Sequence, residues 1–452
     1  MAAILTVLSA LLFFETTHAR DAEFYNEAQI RTRYENRKMI NGKSINADNR
    51  EESEQDFTTR TQLGVNMRKG ESVKAKLLFS HNFQWGSDVD ATTGAEGTDN
   101  TEPYQPDGIN NNENIPLVSE AWLWWKLNES MSLRMGRGPF SLGDGKVISN
   151  NDYLKVPYSL DGVVIGWSGE LSHSDFFALK LIENVKPGFV TNDSEMNVYG
   201  LSFNVKNPPE IFKIIHFHVM QVVKNAIDKG GNGIGEDPIY ERGLNYGRYG
   251  LAFVGGKFFQ YAISYAAHSG EIQLGTSTKV WSGSMIDAEL ALRPTWKNAK
   301  IYYGYHRDTG NEQVNGEKEA KYDSFLYEKH GTSGAMDVLG WGNLTFWKAG
   351  LHADILEDLR LYIDYYSFLR SETRDTVTAG PNGTSMLASQ LGDVSDESEI
   401  GSEWDVSVDH TYDTGLNMLL RFSTFIPGPY LSENSGPNKN FSQVFLQAKI
   451  QF

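Results

Sequence analysis

The chain has 452 residues, no cysteine and a formal net charge of −17 at neutral pH, with 58 acids against 41 basic residues. That acidity argues against nucleic acid as a partner, and the lack of cysteine excludes a disulfide-built scaffold. Aromatic residues make up 12% of the chain, yet no run of about 20 apolar residues follows the N-terminus, so the sequence predicts no membrane-spanning helix.

Residues 1–19 carry an apolar run from Ala2 to Phe14 and then Thr17-His18-Ala19, the pattern of a secretory signal with its small-residue cleavage site. Residues 20–452 contain no Pro/Ser-rich linker and are read as one domain. Their first stretch alternates. Phe24, Ala28, Ile30, Thr32 and Tyr34 fall on one face, and Glu27, Gln29, Arg31, Arg33 and Arg37 on the other, because strand side chains alternate with period two. Next, Phe57, Thr59, Leu63, Val65 and Met67 oppose Arg60, Gln62, Asn66 and Arg68. After a turn at 69–72, Val73, Ala75, Leu77, Phe79, Phe83 and Trp85 oppose Lys74, Lys76, Ser80, Asn82 and Gln84. Strands this long suit a tilted crossing of a membrane better than a soluble sheet.

The same alternation predicts strands near 116–127, 130–138, 159–168, 174–184, 196–205, 211–224, 246–254, 257–267, 281–293, 298–307, 344–354, 358–370, 402–411, 415–426 and 441–452, about eighteen in all. Connections alternate in length. Short ones fall at 69–72, 128–130, 169–173, 206–210, 255–256, 294–297, 355–357 and 412–414. Long ones fall at 38–54, 86–115, 139–158, 185–195, 225–245, 268–280, 308–343, 371–401 and 427–440. Short periplasmic turns and long outer loops taken strictly in turn predict an all-β fold: a transmembrane antiparallel up-and-down barrel. The last strand places Val444, Leu446, Ala448, Ile450 and Phe452 on one face, opposite Gln443, Gln447, Lys449 and Gln451. A terminal aromatic of this kind is expected to close the barrel against the first strand and to engage the barrel-assembly machinery through Phe452.

Leu133-Arg-Met-Gly-Arg-Gly-Pro-Phe-Ser-Leu-Gly-Asp-Gly-Lys-Val-Ile-Ser-Asn-Asn-Asp-Tyr153, followed by Leu160-Asp-Gly-Val-Val164, resembles the signature of the alginate-export porin family. Gly401-Ser-Glu-Trp-Asp405, Tyr412 and Phe425-Ile-Pro-Gly-Pro-Tyr430 are similar to that family's penultimate hairpin. The chain departs from the pattern at Gly138, where Gln commonly follows Gly-Arg, and at Lys146, where Arg is common. The resemblance implies an 18-stranded barrel in the bacterial outer membrane that passes solutes, and a monomer.

Alternation points a set of charged side chains into the lumen: Arg31, Arg33, Arg60, Arg68, Lys74, Lys76, Arg134, Arg137, Arg293, Arg360 and Arg421, with Glu120, Asp287, Glu289, Asp364, Glu403, Asp405 and Asp409. These are expected to line a pore for small hydrophilic solutes, anionic or saccharide-like among them, or to pair across strands and hold the wall together. Arg134 and Arg137, with Asp144 and Lys146, are the expected constriction, since Gly136, Gly143 and Gly145 allow the loop to fold back into the pore. Trp122, Trp124, Trp125, Trp281 and Trp347 suit a membrane-interface belt. Trp122 and Trp124 share Glu120's face, which would also suit a strip for sugars.

Outer-membrane lipid and lipopolysaccharide are the expected surroundings. An adhesin or receptor acting through the acidic loops, with seven acids in 86–115 and no basic residue, is the alternative function. No EF-hand spacing supports calcium there, and His216 with His218 lacks a third ligand, so no metal or cofactor is expected. Neither His173-Ser174 nor His268-Ser269 has catalytic spacing and no Gly-x-Ser-x-Gly elbow is present, which predicts a protein that is not an enzyme.

Overall fold

The computed structural model describes residues 22–40, 51–85, 117–154, 157–182, 196–224, 228–229, 239–240, 243–274, 277–312, 318–324, 326–381, 395–433 and 440–452. The expected signal segment, the acidic loop at 86–115 and the loop at 185–195 lie outside the described residues. Eighteen antiparallel strands run in chain order: β1 (Ala22–Ile40), β2 (Glu51–Lys69), β3 (Val73–Trp85), β4 (Leu117–Lys126), β5 (Met131–Gly138) and β6 (Leu160–Ser168). They continue with β7 (Ser172–Ile182), β8 (Met196–Val205), β9 (Phe212–Lys224), β10 (Gly243–Gly255), β11 (Phe259–Leu274) and β12 (Ser277–Leu292). The last six are β13 (Lys300–Asp308), β14 (Leu344–Leu356), β15 (Leu359–Arg370), β16 (Glu399–Thr411), β17 (Asn417–Pro427) and β18 (Phe441–Gln451).

Each strand pairs with its neighbours in sequence, and β1 pairs with both β2 and β18, so the sheet closes on itself. Closure satisfies every edge, which is what a strand needs where no water can reach its backbone. Phe452 completes the seam: its N–H donates to the Ala28 carbonyl at 2.8 Å, and its own carbonyl accepts from the Ala28 N–H at 3.3 Å. A further two-residue stretch, Lys318–Glu319, lies parallel to β12 without entering the barrel wall.

Alternation along each strand separates the surfaces. Leu123, Trp125, Val163, Trp167, Phe176, Tyr303 and Phe422 stand exposed on the outside, where the bilayer covers them. Their sequence neighbours Phe177, Arg421 and Tyr302 turn inward and are buried. In one place the expected loop pattern fails. The stretch 268–280 is not a long loop: β11 and β12 remain paired from Phe259↔Leu292 out to Leu274↔Ser277. Alternation there continues in small and polar residues, Ser269, Gly270, Ser282 and Gly283, which a hydrophobic pattern does not register but a ladder tolerates once the strands leave the bilayer.

The hydrophobic core lies inside the barrel. Phe140, Leu142, Ile148 and Leu154 from the loop 139–158 pack with Tyr322, Leu326, Met336, Val338 and Trp341 from the loop 308–343, against inward residues such as Phe346, Phe368 and Phe425. Two outer loops have folded back into the lumen, and their apolar side chains are buried there away from water.

Candidate functional site: the charged lumen

Glycines shape the first inward loop. Gly143 and Gly145 hold φ of 58° and 82°, a conformation that costs a residue with a side chain. A Cβ on Gly143 would also come within 2.8 Å of the His216 ring. The loop therefore lies flat on the wall. Lys146 reaches Asp287 on β12 at 2.5 Å and Asp144 at 3.2 Å, and Ser264 of β11 donates to Asp144. Burial alone would lower the Lys146 ammonium, but the Asp287 and Asp144 carboxylates outweigh it and hold the pKa above the usual lysine value.

The two loops are joined to each other. The Ser149 N–H donates to the Leu326 carbonyl at 2.7 Å, Asn151 Nδ2 donates to the Tyr327 carbonyl at 2.8 Å, and Asn151 Oδ1 accepts from the Lys329 N–H at 2.7 Å. Tyr153 stacks on His330 with ring centroids 3.2 Å apart and planes 3° from parallel. One plug results, its apolar side chains sharing a core with the inward wall.

Wall arginines hold this plug by its backbone. Arg31 donates to the carbonyls of Asp152 and Leu154 at 2.6 and 2.8 Å. Arg60 binds the Asp152 carboxylate at 2.6 Å, and the Arg33 guanidinium lies 3.9 Å above the Tyr153 ring. Arg421 donates to His330 Nε2 at 3.2 Å and to the Ala335 carbonyl at 3.1 Å. Because His330 Nε2 accepts, its Nδ1–H faces Asp337 Oδ2, at 2.7 Å. Burial, with Arg421 and Arg33 beside it, keeps His330 well below the ordinary histidine pKa, whereas burial pushes Asp337 up to about 8 against the pull of Arg421. On the C-terminal wall, Glu403 accepts from the Met336 N–H at 2.8 Å and Asp405 from the Ala335 N–H at 3.1 Å. The bonds donated by the charged arginines contribute roughly 1.5–3 kcal/mol each.

Other expected lumen residues pair with neighbouring wall residues nearer the periplasmic turns. Lys76 bridges Glu27 and Glu120 at 2.8 and 3.0 Å, and Trp122 donates to Glu120 at 2.8 Å. Glu289 takes Lys300 and Lys348 at 2.5 and 3.0 Å, Asp364 binds His352 at 2.9 Å, Arg360 meets Asp354 at 3.3 Å, and Asp409 accepts from Asn417 at 2.7 Å. Arg293 stands just beyond the end of β12 and donates to Gln260. Arg68 lies at the periplasmic rim and donates to the Gly70 carbonyl.

Arg137 is a correction. It does not join Arg134 in the lumen: it pairs in register with Ala121 and Asp161, on the same face as exposed Met135 and Val163, and forks onto Asp161 at 2.8 and 2.7 Å outside the barrel. Three residues apart is an odd spacing, and on a strand odd spacing changes face. The tryptophans divide similarly. Trp125 and Trp347 face outward, but Trp122 and Trp124 face the lumen, and Trp281 is buried inside, donating to the Lys321 carbonyl at 2.8 Å. The alternation pattern places the 308–343 loop outside the lumen, whereas the fold draws it in. Its one signal was Met336, Val338, Leu339 and Trp341, too apolar for a loop surrounded by water.

A protein-family model described as alginate export matches residues 42–445. Among solved structures the fold is similar to Pseudomonas aeruginosa OccK11 (OpdR), with 11% identity, 95% of this chain and 96% of that chain covered, and a TM-score of 0.56. It is also similar to Pseudomonas aeruginosa OpdK, solved with vanillate, at 13% identity, 96% and 99% coverage and a TM-score of 0.57. Acinetobacter baumannii OccAB1 gives 11%, 95% and 97%, and 0.58. No curated protein matches the sequence.

Proposed function

The chain belongs to the alginate export family of bacterial outer-membrane barrels, and from that premise we propose that it is a passive channel for small hydrophilic solutes, with anionic and saccharide-like solutes among them. The observation that carries this reading is the inward wall that the plug leaves uncovered. From β2 to β5, and from β12 to β16, it presents Lys, Arg, Glu, Asp and ring side chains rather than an apolar filling. Charged clusters on a lumen wall attract and order polar solutes without gripping them, which is what passage requires. The plug narrows the route, and the arginines it occupies take no part in meeting the solute.

Single-channel recording of the refolded barrel in a planar bilayer under a salt gradient tests this. Ohmic steps are expected, with a reversal potential that favours anions; a correctly folded barrel without conductance would overturn the channel reading. Phe452 is proposed as the assembly signal, so its deletion should reduce the fraction of protein inserted in the outer membrane, read by heat-modifiable mobility on a gel.

A further inference from the structure

Four oxygen atoms on the last three strands are buried with no hydrogen-bond partner among the described residues: Glu403 Oε2 and Asp405 Oδ1 of β16, Ser423 Oγ of β17 and Gln443 Oε1 of β18. Their side chains are at most 3% exposed. Register brings them together, since Asp405 stands opposite Ser423 and Ser423 opposite Gln443. Paired residues of an antiparallel ladder point to the same face, so these side chains share one inward patch, with Glu403 two residues along the strand from Asp405. The Glu403 and Asp405 carboxyl groups lie within hydrogen-bonding reach of each other.

Two facing carboxylates repel unless something positive lies between them, and burial removes the water that would screen them. No described side chain takes that place. Among the described residues neither Glu403 nor Asp405 forms an ion pair, and the Arg421 guanidinium beside them gives its hydrogen bonds to His330 Nε2 and the Ala335 carbonyl. The remaining carboxylate oxygens are taken by the plug, Glu403 Oε1 by the Met336 N–H at 2.8 Å and Asp405 Oδ2 by the Ala335 N–H at 3.1 Å. Gly334 roofs the patch. A Cβ there would fall 2.5 Å from both Glu403 oxygens, so the glycine leaves open a space that a side chain would fill.

We infer that this patch is a calcium site, the ion lying between the Glu403 and Asp405 carboxylates with Ser423 Oγ and Gln443 Oε1 as neutral oxygen donors. A shared proton would satisfy the two carboxyl groups and leave the hydroxyl and amide oxygens orphaned. Calcium takes all of them together, since it accepts roughly six to eight oxygens in irregular geometry and completes its shell with water, whereas magnesium demands a near-ideal octahedron. No three His, Cys, Asp or Glu side chains gather for a metal among the described residues. Here two acids and two neutral oxygens do so from three strands, and no spacing along the chain announces them. Calcium bound there clamps residues 334–336 of the plug to β16, because the same carboxylates hold the Ala335 and Met336 N–H groups. That role is independent of whether the barrel conducts.

The test is calcium binding by the full chain refolded in detergent from EDTA, followed by isothermal titration, with barrel closure checked by heat-modifiable mobility. The parent should bind one calcium more than the variant Glu403→Gln with Asp405→Asn, whose amides keep an acceptor for the loop N–H groups and lose the charge. Comparison with this variant also removes any binding by the acidic segments elsewhere in the chain. Protease cleavage within 326–343 should slow about tenfold in the parent at calcium about ten times the dissociation constant, and not change in the double variant. Where the double variant fails to close, Ser423→Ala replaces it and should weaken the same site about tenfold. Equal calcium counts in the parent and the closed double variant would overturn the site, as would an unchanged affinity in Ser423→Ala. Cleavage of the parent at the same rate in calcium and in EDTA would also overturn it, and would assign a shared proton to the pair instead.

Discussion

Two parts of the lumen wall carry the same residue types and use them oppositely. On β1, β2 and β17, Arg31, Arg33, Arg60 and Arg421 are at most 5% exposed and spend their donors on loop carbonyls, a loop carboxylate and a loop histidine. On β2, β3 and β5, Arg68, Lys74 and Arg134 face the same lumen, and among the described residues no hydrogen bond or ion pair joins them to either inward loop. The difference is not in the strands. It lies in whether a loop descends far enough to claim the side chain, and this decides whether a cation is spent on holding the plug or left to the rest of the lumen.

Freeing the claimed wall is expected to have the largest effect. Arg33→Ala with Arg421→Ala removes the stack on Tyr153 and the bond to His330. The barrel should remain closed, while the plug loses about 3–5 kcal/mol of anchoring. Single-channel steps should grow several-fold, and steps of parent size would show that the plug is held elsewhere.

A milder disturbance acts from the loop side. Gly334 has φ of 90°, and a Cβ there would lie 2.5 Å from the Glu403 carboxylate. Gly334→Ala should therefore lift residues 334–336 from Glu403 and Asp405, at a cost of about 1–3 kcal/mol. The expected readout is protease cleavage within 326–343 that the parent resists.

The plug also carries a pH dependence of its own. Asp337, raised to about 8 by burial, binds its proton more tightly in the folded plug than when unfolded. The stability it contributes is thus full below about pH 4 and is lost as pH rises through 8. His330 stays neutral across that window because its pKa is depressed. Raising pH from 6 to 9 should make current fluctuations more frequent, and Asp337→Asn should flatten that dependence.

The smallest effect is expected outside the barrel. Arg137→Ala breaks a partly exposed pair with Asp161, worth about 1 kcal/mol or less. Ion selectivity should stay as in the parent, and a shift in reversal potential would return Arg137 to the pore.

Much of this architecture was legible because a membrane barrel has only two surfaces and period two assigns each residue to one of them. Lys74, Trp124, Arg134 and Glu120 were readable in that way, as was the seam at Phe452. Parity also separates Arg137 from Arg134, since the two differ by an odd number and an odd step on a strand changes face. The seven-acid segment 86–115 lies outside the described residues.

Local alternation and turn spacing fix the strands, their order, the face that meets lipid and the place where the barrel closes, all readable along the chain. That the loops 139–158 and 308–343 meet inside the lumen, that Tyr153 stacks on His330, and which arginines are thereby taken follow only from the folded barrel. Those contacts join residues more than 100 positions apart through segments with no periodicity. Their energy appears only once the wall has brought Arg31, Arg33, Arg60 and Arg421 around a shared space.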